Sequence, residues 1–191
     1  MISNFVVDFA LGMTRADARA PTAANTRAGY RFQPGIGPHS EDDTVRMALG
    51  EVGLYQAQFG VPYPEATRLR CDVCIGSSAP FEWGIEFKML RFLGDNGKEN
   101  DNVLMHILSP YGSHNSALSD CPKLVRSRIA ARKAIVIFGY ECGLLPLDKA
   151  IEAFEVLAAR AVELGPRAEA STGPLIHPVH ARGKVFGWEI G

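Results

Sequence analysis

One uninterrupted apolar run, residues 134–140 of the stretch AIVIFGYE, most constrains what this chain can fold into. The run is rich in β-branched residues and does not alternate with polar ones, which is typical of a central strand that is buried on both faces. Amphipathic helical segments precede and follow it along the chain. We therefore expect an α/β fold with a central mixed β-sheet flanked by α-helices.

The other periodicities predict helix, two or three strands, helix, strand, helix and strands, in that order. A short helix is expected over residues 3–12, followed by an irregular arm over residues 14–38. The next helix is expected to begin at Ser40, the capping residue of SEDD, and to run to about Phe59. Strands are expected in TRLRCDVCI and EWGIEFKMLRF, which can pair as a hairpin, and later in PLIHPVHA and KVFGWEI.

Length and composition exclude several classes of protein. The 191 residues suit a single domain, in which we distinguish an N-terminal helix and arm (1–39), a core (40–165) and C-terminal strands (166–191). The net charge of −1 gives no global attraction to nucleic acid or membrane. No apolar run is long enough to span a bilayer and no signal peptide is recognisable, so a cytoplasmic location is expected. Basic residues concentrate in CPKLVRSRIAARK, which we expect to form the solvated face of one helix.

The chain has four cysteines, which are too few and too scattered for a disulfide framework and are expected to be reduced. Cys71 and Cys74 form a C-x-x-C, but strand alternation places their sulfur atoms on opposite faces, unlike a redox pair at a helix N-terminus. No second pair of ligands has the spacing of a zinc site. We expect structural thiols, and His177 and His180 in HPVH are expected to be hydrogen-bonded structure.

Strand alternation also collects charged side chains on one face of the sheet. Glu86 and Lys88 in GIEFKM lie two residues apart and share a face, while the apolar residues between and beside them point to the other. If the apolar residues of RCDVCI face the same core, Asp72 converges with Glu86 and Lys88 at one sheet surface. Carboxylates beside an ammonium group suit divalent-metal chemistry on a phosphodiester, because Mg²⁺ binds hard oxygen ligands. The alternative is an incidental ion pair on an exposed strand.

At these residues the sequence resembles the PD-(D/E)XK nuclease superfamily, which has the restriction endonuclease-like fold. The match consists of RCDVCI and GIEFKM, followed by the helix at DCPKL and the strand AIVIFGYE, and covers about residues 40–165. The resemblance implies that Asp72, Glu86 and the carbonyl of Phe87 hold Mg²⁺, for which Mn²⁺ can substitute, while Lys88 assists the attacking water. It also implies a catalytic glutamate from the first core helix, for which Glu41 is the better match and Glu51 the alternative. Cys71 stands where the family often has proline.

The resemblance implies a Mg²⁺-dependent endonuclease that cleaves DNA, expected to be double-stranded, as in type II restriction or phage-defence enzymes. A chain this short is expected to act as a homodimer. Two alternatives are a non-cleaving nucleic-acid-binding or structural member of the same fold, and an unrelated α/β enzyme with incidental strand charges. Two polar loops, GDNGKENDN and SPYGSHNS, could contact DNA. The residues expected to make these contacts are Asn96, Lys98, Asn102, His114, Asn115 and Ser116.

Overall fold

The structure is a computed structural model that describes residues 2–20, 34–53, 55–101, 103–143 and 146–191. No helix in these ranges is both long enough and apolar enough to cross a membrane. The helices are α1 (Ile2–Arg19), α2 (Glu41–Val52), α3 (Met105–Leu108), α4 (Ala117–Arg126) and α5 (Leu147–Ala158). The strands are β1 (Ala57–Tyr63), β2 (Ala66–Ile75), β3 (Phe81–Leu90), β4 (Ala130–Tyr140), β5 (Ala168–Ser171) and β6 (Gly183–Glu189).

The strands form a six-stranded mixed sheet in the order β1-β2-β3-β4-β6-β5. Strands β3 and β4 are parallel, and every other neighbouring pair is antiparallel. A parallel pair needs a long crossover, and α3 and α4 lie in the connection between these two strands. Residues 134–140 of β4 are all buried, so the predicted central strand is confirmed. The predicted hairpin of β2 and β3 is confirmed as well.

Helices cover both faces of the sheet. On one face α1 and α2 pack together, and the ring of Phe9 lies 5.0 Å from that of Phe87 and 5.6 Å from that of Phe138. On the other face lie α3, α4 and α5, where Phe154 packs against Trp188 with 5.1 Å between ring centroids. The chain is therefore an α/β protein whose mixed sheet is flanked by helices.

The N-terminal region is more helical than the sequence indicated. Helix α1 continues to Arg19, so the predicted helix end at residue 12 is wrong, and the first residues of the predicted arm are helical. Asp17 in this extension is buried, and its carboxylate accepts the backbone amides of Ile36 and Ile176. This polar anchor extends the buried face of the helix beyond its apolar residues Met13 and Ala16. Most of the predicted arm, residues 21–33, lies outside the described residues.

Helix α2 begins as predicted but ends earlier. The Ser40 hydroxyl caps it by accepting the amide of Asp43 at 3.2 Å. The predicted end at Phe59 is wrong, because the helix stops before Gly53, which has the left-handed φ of 64° that favours glycine. Phe59 lies in β1, a strand hidden in the sequence by Pro62. Proline is tolerated there because β1 is an edge strand of the sheet.

The C-terminal region contains one wrong strand prediction. Residues 174–181, PLIHPVHA, form loop and bends rather than a strand, because Pro174 and Pro178 lack the N–H that a strand pair requires. The strand before β6 is instead β5, which pairs with β6. The prediction for KVFGWEI is confirmed by β6, which lies between β4 and β5 and belongs to the same sheet as the core strands.

Candidate active site

The candidate site lies where β2 separates from β3. Strand β2 pairs with β3 through Val73–Ile75. Beyond this pairing, Asp72 Oδ2 accepts the backbone amide of Phe87 at 2.8 Å, and Glu41 Oε2 accepts that of Met89. Backbone amides inside a protein need an acceptor, so the two carboxylates take the place of the missing strand partner. The cap at the start of α2 thereby brings Glu41 to the same strand edge as Asp72.

Lys88 lies at the centre of this site, with 11% of its side chain exposed. Its Nζ donates to the Phe87 carbonyl at 2.7 Å and lies 3.0 Å from Asp120 Oδ2. The same Nζ is 3.7 Å from Glu41 Oε1 and 4.0 Å from Asp72 Oδ2. Burial lowers the pKa of Lys88, but the surrounding carboxylates outweigh burial and hold this pKa above its ordinary value. Lys88 is therefore an ammonium group held among four oxygen atoms.

Glu86 lies on the same side of β3 as Lys88 but is more deeply buried, with 2% of its side chain exposed. Its Oε1 accepts a hydrogen bond from the Tyr63 hydroxyl and lies 3.0 Å from Lys123 Nζ. Burial raises the pKa of Glu86 well above its ordinary value, and the charges of neighbouring Asp72 and Asp120 act in the same direction. Lys123 opposes this rise. The carboxylate is thus held by a tyrosine and a lysine that the sequence analysis did not identify.

The analysis of the sequence also missed Asp120, which links the two lysines. Its Oδ1 lies 2.5 Å from Lys123 Nζ and its Oδ2 lies 3.0 Å from Lys88 Nζ, with 3% of the side chain exposed. A reciprocal capping box between Ser116 and Ser119 fixes the start of α4, from which both Asp120 and Lys123 project. The i, i+3 spacing in DCPK places an acid and a base on one helix face, but it does not indicate that this face meets β3.

The predicted basic helix is wrong in extent and in role. Helix α4 ends at Arg126, and Arg132 and Lys133 belong to β4. Arg132 pairs with Glu189 at 2.7 Å on the far side of the sheet from α4. Lys123 does not belong to a solvated basic face, because its ammonium group turns into the site.

Four carboxylates face two ammonium groups across this site. They are Glu41, Asp72, Glu86 and Asp120 against Lys88 and Lys123. When all six are ionised the net charge is −2, and a buried excess of charge must be neutralised by protons or by a cation. Burial and the charge of Asp72 accordingly raise the pKa of Glu41 to about 7, against the opposing effect of Lys88. The excess matches the charge of one divalent cation.

The oxygen atoms around Lys88 converge on its ammonium group. Those of Phe87, Glu41 and Asp72 lie within 4.0 Å of the lysine nitrogen, and among the described residues no three carboxylates of this cluster bring one oxygen each within 4.8 Å of the others. Mg²⁺ needs only one or two carboxylates from a protein, because water and substrate phosphate complete its shell. Glu51, the alternative to Glu41, forms an ion pair with Arg19 of α1 at 3.2 Å and is directed away from this cluster.

A cleft of about 130 Å³ adjoins the exposed sides of Glu41 and Asp72. The side chains of these residues are 28% and 27% exposed, respectively. Two arginines line the cleft beside them. The Arg46 guanidinium lies 4.4 Å from the ring centroid of Phe59, and Arg70 donates to a backbone carbonyl of β1 at 2.7 Å. The site therefore opens to solvent through a cleft that carries both signs of charge.

The predicted DNA-contacting residues have different surroundings. Ser116 is fully buried, and its hydroxyl accepts the amide of Ser119 and donates to the carbonyl of Ser109, so this side chain serves the fold. Asn102 lies outside the described residues. The exposed ones are Asn96, Lys98, His114 and Asn115. For these four, DNA contact stays a prediction.

The C-x-x-C does not behave as strand alternation predicted. Cys71 and Cys74 both pack in the core between the sheet and α4, whereas Val73 and Ile75 belong to the core on the opposite face. The prediction of opposite faces is wrong because pairing with β3 ends at Val73, so regular alternation does not extend to Cys71. Hydrogen bonding to Cys74 and burial raise the pKa of Cys71, which keeps this free thiol protonated and unreactive.

A second cluster, Asp95, His177 and His180, brings one potential ligand atom of each residue within 4.8 Å of the others, and it is the one such group in the described part of the chain. His180 Nε2 lies 3.1 Å from Asp95 Oδ1, but Nδ1 of His177 accepts the backbone amides of Val179 and His180 at 3.2 and 3.1 Å. A metal-bound imidazole carries its proton on the other ring nitrogen. In His177 that nitrogen would have to be Nδ1, which faces donors, so the cluster does not fit a metal.

Comparisons of the chain with protein-family models, with curated proteins and with solved structures gave no match. The class of protein is defined by the fold and the site together. It is an α/β protein with a six-stranded mixed sheet, in which a splayed strand pair carries a buried excess of carboxylates beside an open cleft.

Proposed function

We propose that this chain is a divalent-cation-dependent endonuclease with a restriction endonuclease-like fold, which hydrolyses phosphodiester bonds of DNA. One observation carries the proposal: two carboxylate charges in excess, grouped around Lys88 and the Phe87 carbonyl, border an open cleft. The resemblance of RCDVCI and GIEFKM to the motif strands of PD-(D/E)XK nucleases supports it further. Cleavage of both DNA strands by a chain of this size calls for a homodimer.

Asp72 and Glu41, together with Glu86 or the Phe87 carbonyl, are the groups that would hold Mg²⁺ or Mn²⁺. When bound, such a cation supplies neutralisation of the phosphate and an acidified water at neutral pH. Lys88 contributes a fixed positive charge that stabilises negative charge developing on the phosphate oxygens. Because the carboxylates around it hold its pKa above the ordinary value, Lys88 acts as a hydrogen-bond donor rather than as a base.

A non-cleaving nucleic-acid-binding member of the same fold is the second candidate. The observation that favours it is the position of Glu86, whose Oε1 is held by both Tyr63 and Lys123. If Glu86 keeps these partners when a cation is present, Asp72 and Glu41 remain as the carboxylates that face the cleft. Such a site could bind a cation and a phosphate without cleaving the strand.

The proposal is tested by incubating the purified protein with supercoiled plasmid and with linear duplex DNA in Mg²⁺, Mn²⁺ or EDTA. We expect nicked or linear products with either cation and none in EDTA. Lys88→Met, Asp72→Asn and Glu86→Gln should each lower the rate by about 100-fold or more, because one charge-stabilising group contributes on the order of 10²–10³. Lys149→Met and Glu152→Gln remove equal charges from exposed positions of α5, outside both loops predicted to contact DNA, and should retain the rate.

Circular dichroism and thermal unfolding of each variant separate loss of chemistry from loss of folding. Undiminished cleavage by the Lys88→Met and Asp72→Asn proteins would contradict the assigned site. If the wild-type protein binds Mn²⁺ and duplex DNA but forms no product on plasmid or genomic DNA, the non-cleaving candidate is the correct one.

A further inference from the structure

We infer that the cleft lined by Arg46 and Arg70 binds a phosphate group of a nucleic-acid strand next to the bond to be cut. The inference rests on the proposed function, because it assigns the place where the substrate backbone enters that site. It names two residues that the sequence analysis did not single out. It also places the nucleic-acid strand beside α2, β1 and β2, rather than at the loops after β3 that the sequence indicated.

Both arginines have donors left for an anion. Arg46 stacks on Phe59 with 4.4 Å between its guanidinium carbon and the ring centroid. This contact uses the flat face of the guanidinium group, so the N–H groups at its edge can still donate to an anion. Arg70 is anchored by one bond, from Nη1 to the carbonyl of Gly60 at 2.7 Å, out of the five that a guanidinium can donate. Among the described residues neither arginine forms an ion pair, although carboxylates line the same cleft. Two oriented cations are thus available for an acceptor from outside the protein.

The lining of the cleft suits a phosphate group. The cleft has a volume of about 130 Å³, and Arg46 and Arg70 line it beside the exposed carboxylates of Glu41 and Asp72. Cationic donors of this kind bind the phosphates of a nucleic-acid strand, which carry no sequence information, so base recognition would lie elsewhere.

The charge of the cleft makes binding depend on a cation. Three carboxylates, those of Glu41, Asp42 and Asp72, line it together with Arg46 and Arg70. Its net charge is −1 without a cation, which repels phosphate, and +1 with one divalent cation, which attracts it. Arginine then binds phosphate through paired N–H donors beside the cation. Backbone binding should accordingly require both the arginines and the divalent ion.

The test is fluorescence anisotropy with a labelled duplex, in Mn²⁺ or in EDTA, at several salt concentrations. The Arg46→Gln/Arg70→Gln protein is compared with the wild type and with Arg68→Gln/Arg160→Gln, which removes two exposed arginines outside the cleft. We expect the cleft variant to raise Kd about tenfold or more in Mn²⁺ and to lower the slope of log Kd against log salt by about one, the value for one lost phosphate contact. The control should change neither quantity, and in EDTA the wild type and the cleft variant should bind alike.

Equal Kd and equal salt slope for the wild type and the cleft variant in Mn²⁺ would overturn the inference, as would failure of the wild type to bind DNA in Mn²⁺. Displacement of the duplex by inorganic phosphate at matched ionic strength would also overturn it, because the cleft would then be a site for free phosphate. For this measurement the wild type, the cleft variant and the control all carry Lys88→Met, which should slow cleavage in Mn²⁺, and a denaturing gel checks that the DNA is intact, so binding is read independently of cleavage. If binding depends on the arginines but the wild type does not cleave DNA, the inference stands and the nuclease proposal fails. If the protein cleaves DNA but the cleft variant binds as tightly as the wild type, the nuclease proposal stands and the inference fails.

Discussion

Replacing Glu41 with glutamine tests the excess of negative charge directly. The substitution removes one of the four carboxylates but keeps an oxygen that can accept the Met89 amide. Because burial raises the pKa of Glu41 from 4.5 to about 7, the folded chain binds this proton more tightly than the unfolded chain. The contribution to stability is therefore present below pH 4.5 and is lost as the pH rises through about 7. The difference between the two pKa values corresponds to about 3 kcal/mol.

Two effects reduce this value. The Glu41 side chain is 28% exposed, so water screens part of the unfavourable interaction. The residue also lies in the first turn of α2, where a negative charge interacts favourably with the helix dipole by about 0.3–1 kcal/mol. We expect Glu41→Gln to raise the free energy of unfolding by roughly 2 kcal/mol near pH 8 in EDTA, and to leave it nearly unchanged near pH 4, because the shift is discounted for screening and for the helix dipole.

The measurement is urea unfolding followed by tryptophan fluorescence, with linear extrapolation at both pH values. Glu51→Gln is the matched control, because Glu51 lies on the same helix but pairs with Arg19 outside the site. It should destabilise slightly or not at all near pH 8. Added Mn²⁺ should stabilise the wild type more than Glu41→Gln. A Glu41→Gln protein that is less stable than the wild type near pH 8 in EDTA would refute the charge excess on which the proposed function depends.

Two further predictions concern the fold around the site. Burial lowers the pKa of His180 to about 4, so its contribution to stability is complete above the ordinary pKa of 6.5 and falls by up to about 3 kcal/mol as the pH drops toward 4. Urea unfolding at both pH limits should show a smaller fall for His180→Gln than for the wild type or for His106→Gln, which changes an exposed histidine. An equal fall in all three proteins would contradict this prediction. Gly12→Ala should destabilise the protein by about 1–3 kcal/mol, because the new Cβ would lie 2.2 Å from the carbonyl oxygen of Ala48. Gly50→Ala places its Cβ in open space, with nothing within 4 Å, and should stabilise α2 by up to about 1 kcal/mol. Equal thermal midpoints for these two glycine variants would show that α1 and α2 do not approach as closely as described.

The part of the site that the sequence could predict comes from local periodicity. The two-residue repeat of a strand is enough to place Glu86 and Lys88 on one face of β3, and the capping signal at Ser40 is enough to start α2 at Glu41. The same periodicity fails at Cys71, where β2 has already separated from β3. This separation also explains why Asp72 reaches the Phe87 amide, which a continuous sheet would have paired with a strand.

The residues that the sequence could not supply act across large separations. Tyr63 contacts Glu86 from β1, a strand that the sequence analysis did not predict because of its proline. Asp120 and Lys123 reach the site from α4, the helix in the crossover between β3 and β4. A helix pattern assigns charged residues to the solvent face by default, because charge is usually solvated. Nothing local to DCPK indicates that α4 lies over the polar edge of β3 rather than over an apolar part of the sheet. That placement depends on the parallel pairing of β3 and β4, which forces the helix to cross this face.

Burial of a charge excess distinguishes the candidate site from the other polar clusters of the described chain. Lys184 also faces three carboxylates, but these are about 40% exposed and solvated. Buried Asp17 accepts two backbone amides, and Asp95 is matched by Arg91 at 3.4 Å beside a histidine, so in both places each carboxylate has a partner that holds the fold together. Around Lys88 the carboxylates outnumber the ammonium groups, and replacing one of them by a neutral residue should stabilise the protein. A feature that lowers stability in a buried region is expected where function requires it. The buried imbalance, rather than the presence of acidic residues, is the observation on which our proposal of a cation and a phosphate at this edge of the sheet rests.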